Sequence, residues 1–208
     1  MEVIIMDEGF SRITAAGGIR VLMIGGHIEG HTVAPPEVKV TRYDDILPML
    51  VTIEEDRDTA GLLILINTVG GDVEAGLAIA EVIAGLSCPT ASLVVGGGHS
   101  IGIPLAVAAK RSFIVPSASM IIHPVRMNGV VLGVDQAFDY LSKMQSRINS
   151  FIVSHSSAKH EALEKLLYNT NEMSCDIGSI LYGREAVDVG IIDEVGSIGR
   201  ALEYLKGK

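Results

Sequence analysis

Thr90-Ala91-Ser92-Leu93-Val94-Val95 runs into Gly96-Gly97-Gly98-His99-Ser100-Ile101-Gly102 and on into Ile103-Pro104-Leu105-Ala106-Val107. An apolar strand-like run, a glycine-rich turn and an apolar helix-like run make one βα unit. Ser100 sits in the turn, inside a Gly-x-Ser-x-Gly pattern from Gly98 to Gly102. A serine between glycines at a strand-to-helix turn exposes its hydroxyl at a helix N-terminus with backbone N–H groups close by. Acyl-transfer nucleophiles favour this arrangement, because one turn supplies the nucleophile and part of its oxyanion site. Glycine and serine also populate ordinary βα turns, so the pattern needs support from the rest of the chain.

A second strand–turn–helix precedes it. Gly61 to Ile66 is a continuous Leu/Ile run ending at Asn67, the pattern of a strand buried on both faces. Asn67-Thr68-Val69-Gly70-Gly71 then leads into a helix capped by Asp72, with Val73, Gly76, Leu77, Ala80, Ile83 and Ala84 at helical spacing. Paired glycines there let the backbone approach a ligand with its N–H groups outward. Further out, Ile19 to Ile24 reads as a strand closed by Gly25-Gly26. Thr32 to Tyr43 reads as a loop or insertion with a short β piece at Val38 and Val40, and Asp44 or Asp45 caps a helix to about Asp58. Phe113–Val115 and Met120–Ile122 read as short strands, and Val134 to about Val153 as one long amphipathic helix. His160–Tyr168, Gly183–Val189 and Ala201–Leu205 read as shorter helices. Residues 1–17 form a short arm and 18–208 a single domain. The alternation of strand and helix gives an α/β class.

The composition narrows the function. Hydrophobic residues make up 48% of the 208 residues, and the mean hydropathy is +0.40, which points to apolar surface buried between subunits. No charged residue occurs from Val82 to Ala109. Pro89, the triple glycine, His99, Ser100 and Pro104 break that stretch into helix end, strand, turn and helix, so no transmembrane segment is read there. A net charge of −9 with no run of Lys or Arg disfavours nucleic acid. No secretory signal is visible at the N-terminus, and Cys88 and Cys175 lie in dissimilar contexts, as for thiols of a reducing cytoplasm.

Met120-Ile121-Ile122-His123-Pro124 places a histidine at the end of a short apolar strand, and Asp176 lies in Cys175-Asp176-Ile177-Gly178. Alone, each has a structural explanation. Together with the two turns they resemble the ClpP-type serine peptidases. The family's Asn-Ser-Pro-Gly-Gly turn corresponds to Asn67-Thr68-Val69-Gly70-Gly71, and its Ala-Ser-Met-Gly segment to His99-Ser100-Ile101-Gly102. Its Met-Ile-His corresponds to Ile121-Ile122-His123. Its closing Glu-Ala…Gly-Leu-Ile-Asp corresponds to Glu185-Ala186…Gly190-Ile191-Ile192-Asp193. The resemblance runs from about Ile19 to Val195. The strings Gly-Gly-Gly-His-Ser-Ile-Gly and Ile-His-Pro-Val-Arg look most like the TepA (translocation-enhancing) branch.

The resemblance implies a ClpP/crotonase-like spiral of ββα units with a projecting handle helix, the handle region spanning about 129–170. It implies a serine endopeptidase, ATP-independent or partner-assisted, that cleaves peptides or unfolded proteins. Ser100 is then the nucleophile, His123 the general base, and the backbone N–H groups of Gly71 and Ile101 the oxyanion hole. Asp176 completes the triad if two extra residues before the Glu-Ala helix are a short insertion. Val69 stands where the family has proline, His99 where it has a small residue, and Pro124 where it has glutamine; these reshape the cleft. His99 could meet solvent or substrate there. No metal or organic cofactor is implied. Family assembly implies a homo-oligomeric ring of seven subunits, or stacked rings; an AAA+ unfoldase or export machinery is the further partner to consider.

Four competing readings stand beside this one. His27-Ile28-Glu29-Gly30-His31 has the wrong spacing for a zinc-peptidase motif, and Gly30 argues against the required helix. Lys143, on the long helix, is the partner of Ser100 in a Ser–Lys dyad. A crotonase-type acyl-CoA enzyme would share the fold but need carboxylates near the hole. A non-proteolytic assembly or translocation factor would keep the fold and lose turnover.

Overall fold

The computed structural model describes residues 17–127, 133–171 and 177–207, and the backbone of 13–15. At its centre the strands β2 (Ile19–Glu29), β4 (Gly61–Gly71), β5 (Thr90–Gly98), β6 (Arg111–Ile114) and β9 (Glu194–Val195) lie side by side, all parallel. The edge strand β1 (Ile13–Ala15) pairs antiparallel with β2, so the end of the expected N-terminal arm joins the sheet; residues 1–12 of that arm lie outside the described residues. The strand β3 (Val40–Arg42) pairs with the far end of β2, His27 opposite Val40.

Both faces of this sheet are covered, which is why its strands read as unbroken apolar runs. Leu22, Ile24, Leu62, Ile64 and Ile66 face helices α1 (Tyr43–Glu55) and α2 (Val73–Gly85), whose Ile46, Leu50, Ile79 and Ile83 complete the larger core. Ile19, Leu63, Ala91, Leu93 and Phe113 face the other way, against Ala201 and Leu205 of α7 (Ile198–Leu205). Each fully buried Leu or Ile contributes about 1.5–3 kcal/mol. Asp72 caps α2 as expected, its Oδ1 accepting the Ala75 N–H at 2.8 Å. Asp44 and Asp45 do not cap α1. They lie in its first turn, where carboxylates suit the positive end of the helix dipole, and Arg42 stands at the cap position.

Two strands run further than their side chains suggest. β2 continues through Gly25-Gly26 to Glu29, and β4 continues through Asn67 to Gly71. The pairing Gly26–Thr68 is followed, past a bulge, by His27–Gly70 and Ile28–Gly71. Backbone hydrogen bonds carry these extensions, and they bring the Gly70-Gly71 pair up beside the end of β5.

After β5 come the short helix α3 (Gly102–Val107), every residue of it buried, and β7 (Ser119–Ile122). β7 leaves the main sheet at Gly97–Ser119 and pairs antiparallel with β8 (Ser179–Tyr182). The long helix α4 (Val134–Ser154) is where its periodicity placed it. The large apolar side chains of this amphipathic helix are split between two environments: Met144 and Phe151 are buried, while Phe138 is 69% exposed. The helices α5 (His160–Leu167) and α6 (Gly183–Asp188) follow. Among the described residues no helix is long and apolar enough to cross a membrane.

Candidate functional site

β5 ends one residue before a sharp corner. Ser100 has φ 56, and among the described residues it is the one non-glycine in the left-handed region, a conformation that costs roughly 1–3 kcal/mol and persists only where its surroundings hold it. They do so by three hydrogen bonds. The Ser100 N–H donates to Ile121 O at 2.8 Å, the Gly102 N–H to His99 O at 2.8 Å, and the Ile103 N–H to Ser100 O at 3.0 Å. The corner turns the serine side chain out of the strand at the mouth of the buried α3.

Gly70 presses against this corner, and Gly71 presses against β2. Gly70 has φ 89, and a β-carbon there would fall 2.8 Å from Ser100 Cβ and 2.9 Å from His99 O. A β-carbon on Gly71 would fall 2.3 Å from Ile28 O. Thr68 anchors the approach from below: its hydroxyl donates to Gly26 O at 2.6 Å and accepts the Gly70 N–H at 3.1 Å. Pairing at Ile28–Gly71 uses the Asp72 N–H, which donates to Ile28 O at 2.9 Å. The Gly71 N–H is therefore not spent on β2.

His123 follows β7 directly. Its Nδ1 lies 2.7 Å from Pro124 O. A carbonyl can only accept, so Nδ1 carries the proton and the neutral ring keeps its lone pair at Nε2. Ser100, His123, Gly71 and Ile101 line one cavity of about 120 Å³, whose remaining wall is largely apolar, with Val73, Ile103 and Ile148 among its side chains. A larger, more open groove of about 570 Å³ runs between α2 and α4. Its Arg147 is bound to Glu74 through two hydrogen bonds, at 2.7 and 3.1 Å, and its Ser154 hydroxyl donates to Phe151 O at 3.0 Å. The smaller cavity is the one that gathers a serine, a histidine and the glycine turn.

The remaining candidates separate. Asp176 lies outside the described residues, as do Glu172 and Cys175. Lys143 is exposed on α4 and does not line the cavity. His31 is exposed, with its Nδ1 3.0 Å from Tyr43 Oη and its ring edge-on to that tyrosine; His27 lies half-buried beside Gly71. His99 turns inward, its Nδ1 accepting the Ile121 N–H at 3.2 Å. Burial, with a smaller contribution from nearby His123, holds its imidazole below the ordinary range. Burial also pushes the Cys88 thiol up.

Besides Ser100 and His123, the polar side chains in the cavity wall are Arg126, Gln145 and Asn149, and the sequence reading missed the last two. The Val125 N–H donates to Gln145 Oε1 at 2.8 Å, so Gln145 Nε2 faces Asn149 Oδ1 and donates to it at 2.8 Å. That order leaves the Asn149 NH₂ as the remaining donor of a side chain 5% exposed that lines the cavity. The signal was there to find: Gln145 and Asn149 are one helical turn apart, on the face that also carries Met144 and Ile148.

The sequence profile of the Clp protease family matches residues 27–198. The chain is also 52% identical, over 187 residues, to the translocation-enhancing protein TepA of Halalkalibacterium halodurans; the match covers 90% of this chain and 73% of that one. The strand-end glycine pair, the serine corner and the histidine after β7 all fall inside the matched span, and the chain belongs to the Clp protease family.

Proposed function

We propose that this protein is a serine endopeptidase acting on peptides or unfolded polypeptides. The observation that carries the reading is the meeting in one cavity of a serine at φ 56 and a histidine whose Nε2 lone pair is free of its Pro124 contact. In the proposed reaction Ser100 Oγ attacks the scissile carbonyl while its proton passes to His123 Nε2. The N–H groups of Gly71 and Ile101 hold the developing oxyanion, and His123 returns the proton to the leaving amine. Water then attacks the acyl-enzyme by the same route. Asp176 is proposed as the carboxylate that stabilises the imidazolium. Acyl-CoA chemistry of the crotonase kind would need carboxylates near the hole, where the cavity offers Ser100 and His123.

Kinship with the Clp proteases supports assembly into rings of seven subunits, stacked in pairs, with an ATP-driven unfoldase as a further partner. The similarity to a protein named for enhancing translocation supports a cytoplasmic role in handling exported chains. Labelling with a fluorophosphonate probe tests the central claim. The wild type should label at one serine, and Ser100→Ala should abolish labelling and peptide hydrolysis while keeping fold and assembly. Removal of a triad nucleophile costs about 10⁶-fold in a well-studied unrelated protease. Turnover that survives in Ser100→Ala would sink the Ser100 mechanism, and a wild type that never labels or hydrolyses would leave the non-proteolytic translocation role in its place.

A further inference from the structure

We propose that His99 is a positioning residue: its neutral imidazole holds the Ile121 N–H through Nδ1 and so fixes the strand that carries His123 against the Ser100 corner. The consequence for rate rests on the peptidase reading; the contact itself does not.

The register of β5 and β7 shows why a side chain is needed there. Gly97 stands opposite Ser119, so two residues on, His99 stands opposite Ile121. A parallel ladder at that position takes one bond into the Ile121 carbonyl and one out of the Ile121 N–H. The first is present, from the Ser100 N–H at 2.8 Å. The ladder acceptor for the second would be the carbonyl of Gly98, the last residue of β5; the bridged pairing stops at Gly97–Ser119, and the His99 ring takes the N–H at 3.2 Å. Ile121 is thus gripped from both sides by adjacent residues of the nucleophile turn. His123 lies two residues beyond it, so the spacing between nucleophile and base is set through this grip.

Only the neutral ring can do this, because an imidazolium has no lone pair at Nδ1. Neutral His99 must then carry its proton on Nε2, the opposite tautomer from His123. The surroundings favour the neutral form: the ring is half-buried, β7 presents Ile121 and His123 to it, and β4 offers the Thr68 carbonyl, which accepts the backbone N–H of His99 at 3.2 Å. His123 is the titratable group that acts on it among the described residues. The contact is therefore intact above the lowered His99 pKa and is lost as pH falls through it. A proton on His123, as the reaction requires in passing, further disfavours one on His99.

The experiment compares His99→Ala and His99→Asn by the second-order rate of fluorophosphonate labelling at Ser100 across pH. Asn Oδ1 branches from Cγ as Nδ1 does and can accept the same N–H without titrating. Alanine should slow labelling about 10- to 100-fold, the penalty of a small misplacement at a reacting centre, with assembly unchanged. Asparagine should regain most of the loss, and it should lack the acid-side step that protonation of His99 gives the wild type. Alanine labelling at the wild-type rate, or asparagine no better than alanine, overturns the positioning role. Nitrogen NMR of histidine-labelled protein gives a readout independent of activity. His99 should show the Nε2–H tautomer, and an Nδ1–H tautomer overturns the contact. A wild type that never labels counts against the peptidase reading alone, and the tautomer then decides this one.

Discussion

A β-carbon on Gly70 would lie 2.8 Å from the Ser100 β-carbon. The turn after one strand is thus shaped to the corner after the next, and the serine conformation depends on a glycine thirty residues upstream. Gly70→Ala should be expensive twice over. Its φ of 89 is unfavourable for alanine by roughly 1–2 kcal/mol, and the added methyl must displace either Ser100 or the His99 carbonyl. Labelling of Ser100 should fall about 100-fold, more than the loss of stability alone would give at a temperature where the variant is folded. An alanine variant that labels normally would mean that the two turns are not held against each other in the active protein.

The base is separable from its rival. His123→Ala should be as damaging as Ser100→Ala, and Lys143→Ala should cost little, since Lys143 is exposed and away from the cavity. Asp176→Asn should lower turnover by up to about 10⁴-fold, by favouring the wrong tautomer. A smaller loss would mean that the Pro124 carbonyl, 2.7 Å from Nδ1, fixes the tautomer on its own. Rates measured on purified variants with one fluorogenic peptide decide among these. An essential Lys143 with a dispensable His123 would move the assignment to a Ser–Lys dyad.

What could be read from the sequence follows from what side chains report. Leu62 to Ile66 and Leu93 to Val94 face packed layers on both sides, so their apolar runs announce the parallel sheet directly. Asp72 announces the start of α2 because its carboxylate is the cap. Gly25, Gly26, Gly70 and Gly71 mislead for the same reason: they have no side chain to show that their backbones still pair. The four-residue β8 and two-residue β9 are too short to carry a period. In the candidate site, Ser100 and His123 stand out by motif, but the His99–Ile121 contact depends on a register between β5 and β7 that no local pattern encodes.

The cavity wall carries a prediction about substrate. At about 120 Å³ the cavity is smaller than the ~150 Å³ space that takes a benzene ring, and Asn149 offers it an NH₂ donor oriented through Gln145. A side chain beside the scissile bond that ends in a carbonyl or hydroxyl, such as Gln, Asn, Ser or Thr, should be cleaved in preference to Phe. Asn149→Leu should move the ratio of kcat/KM values toward apolar side chains by about tenfold, and Gln145→Leu should do so less, by freeing the Asn149 amide to turn. A panel of peptides varied at that one position measures it. An unchanged ranking in Asn149→Leu would place the substrate side chain elsewhere along the cleft.

The split along α4 decides where assembly should be attacked. Met144 and Phe151 are buried in their own domain, and Ile148 lines the cavity, so a charge at any of them would damage the fold or the site. Val134 and Phe138 are a helical turn apart and remain 74% and 69% exposed. Large apolar side chains left exposed together mark a surface that meets another protein, and the proposed stacking of rings would seat the same helix of an opposing ring there. Phe138→Asp, alone or with Val134→Asp, should therefore split stacked rings into single rings or smaller species, while circular dichroism and thermal stability of the subunit stay near the wild type. Peptidase activity should fall with the larger species if stacking is needed to order the site. Light scattering of wild type and variant at matched micromolar concentration reads the outcome. A wild type that is a stable, fully active monomer, or a Phe138→Asp variant with an unchanged mass, would show that this end of α4 is not the seam.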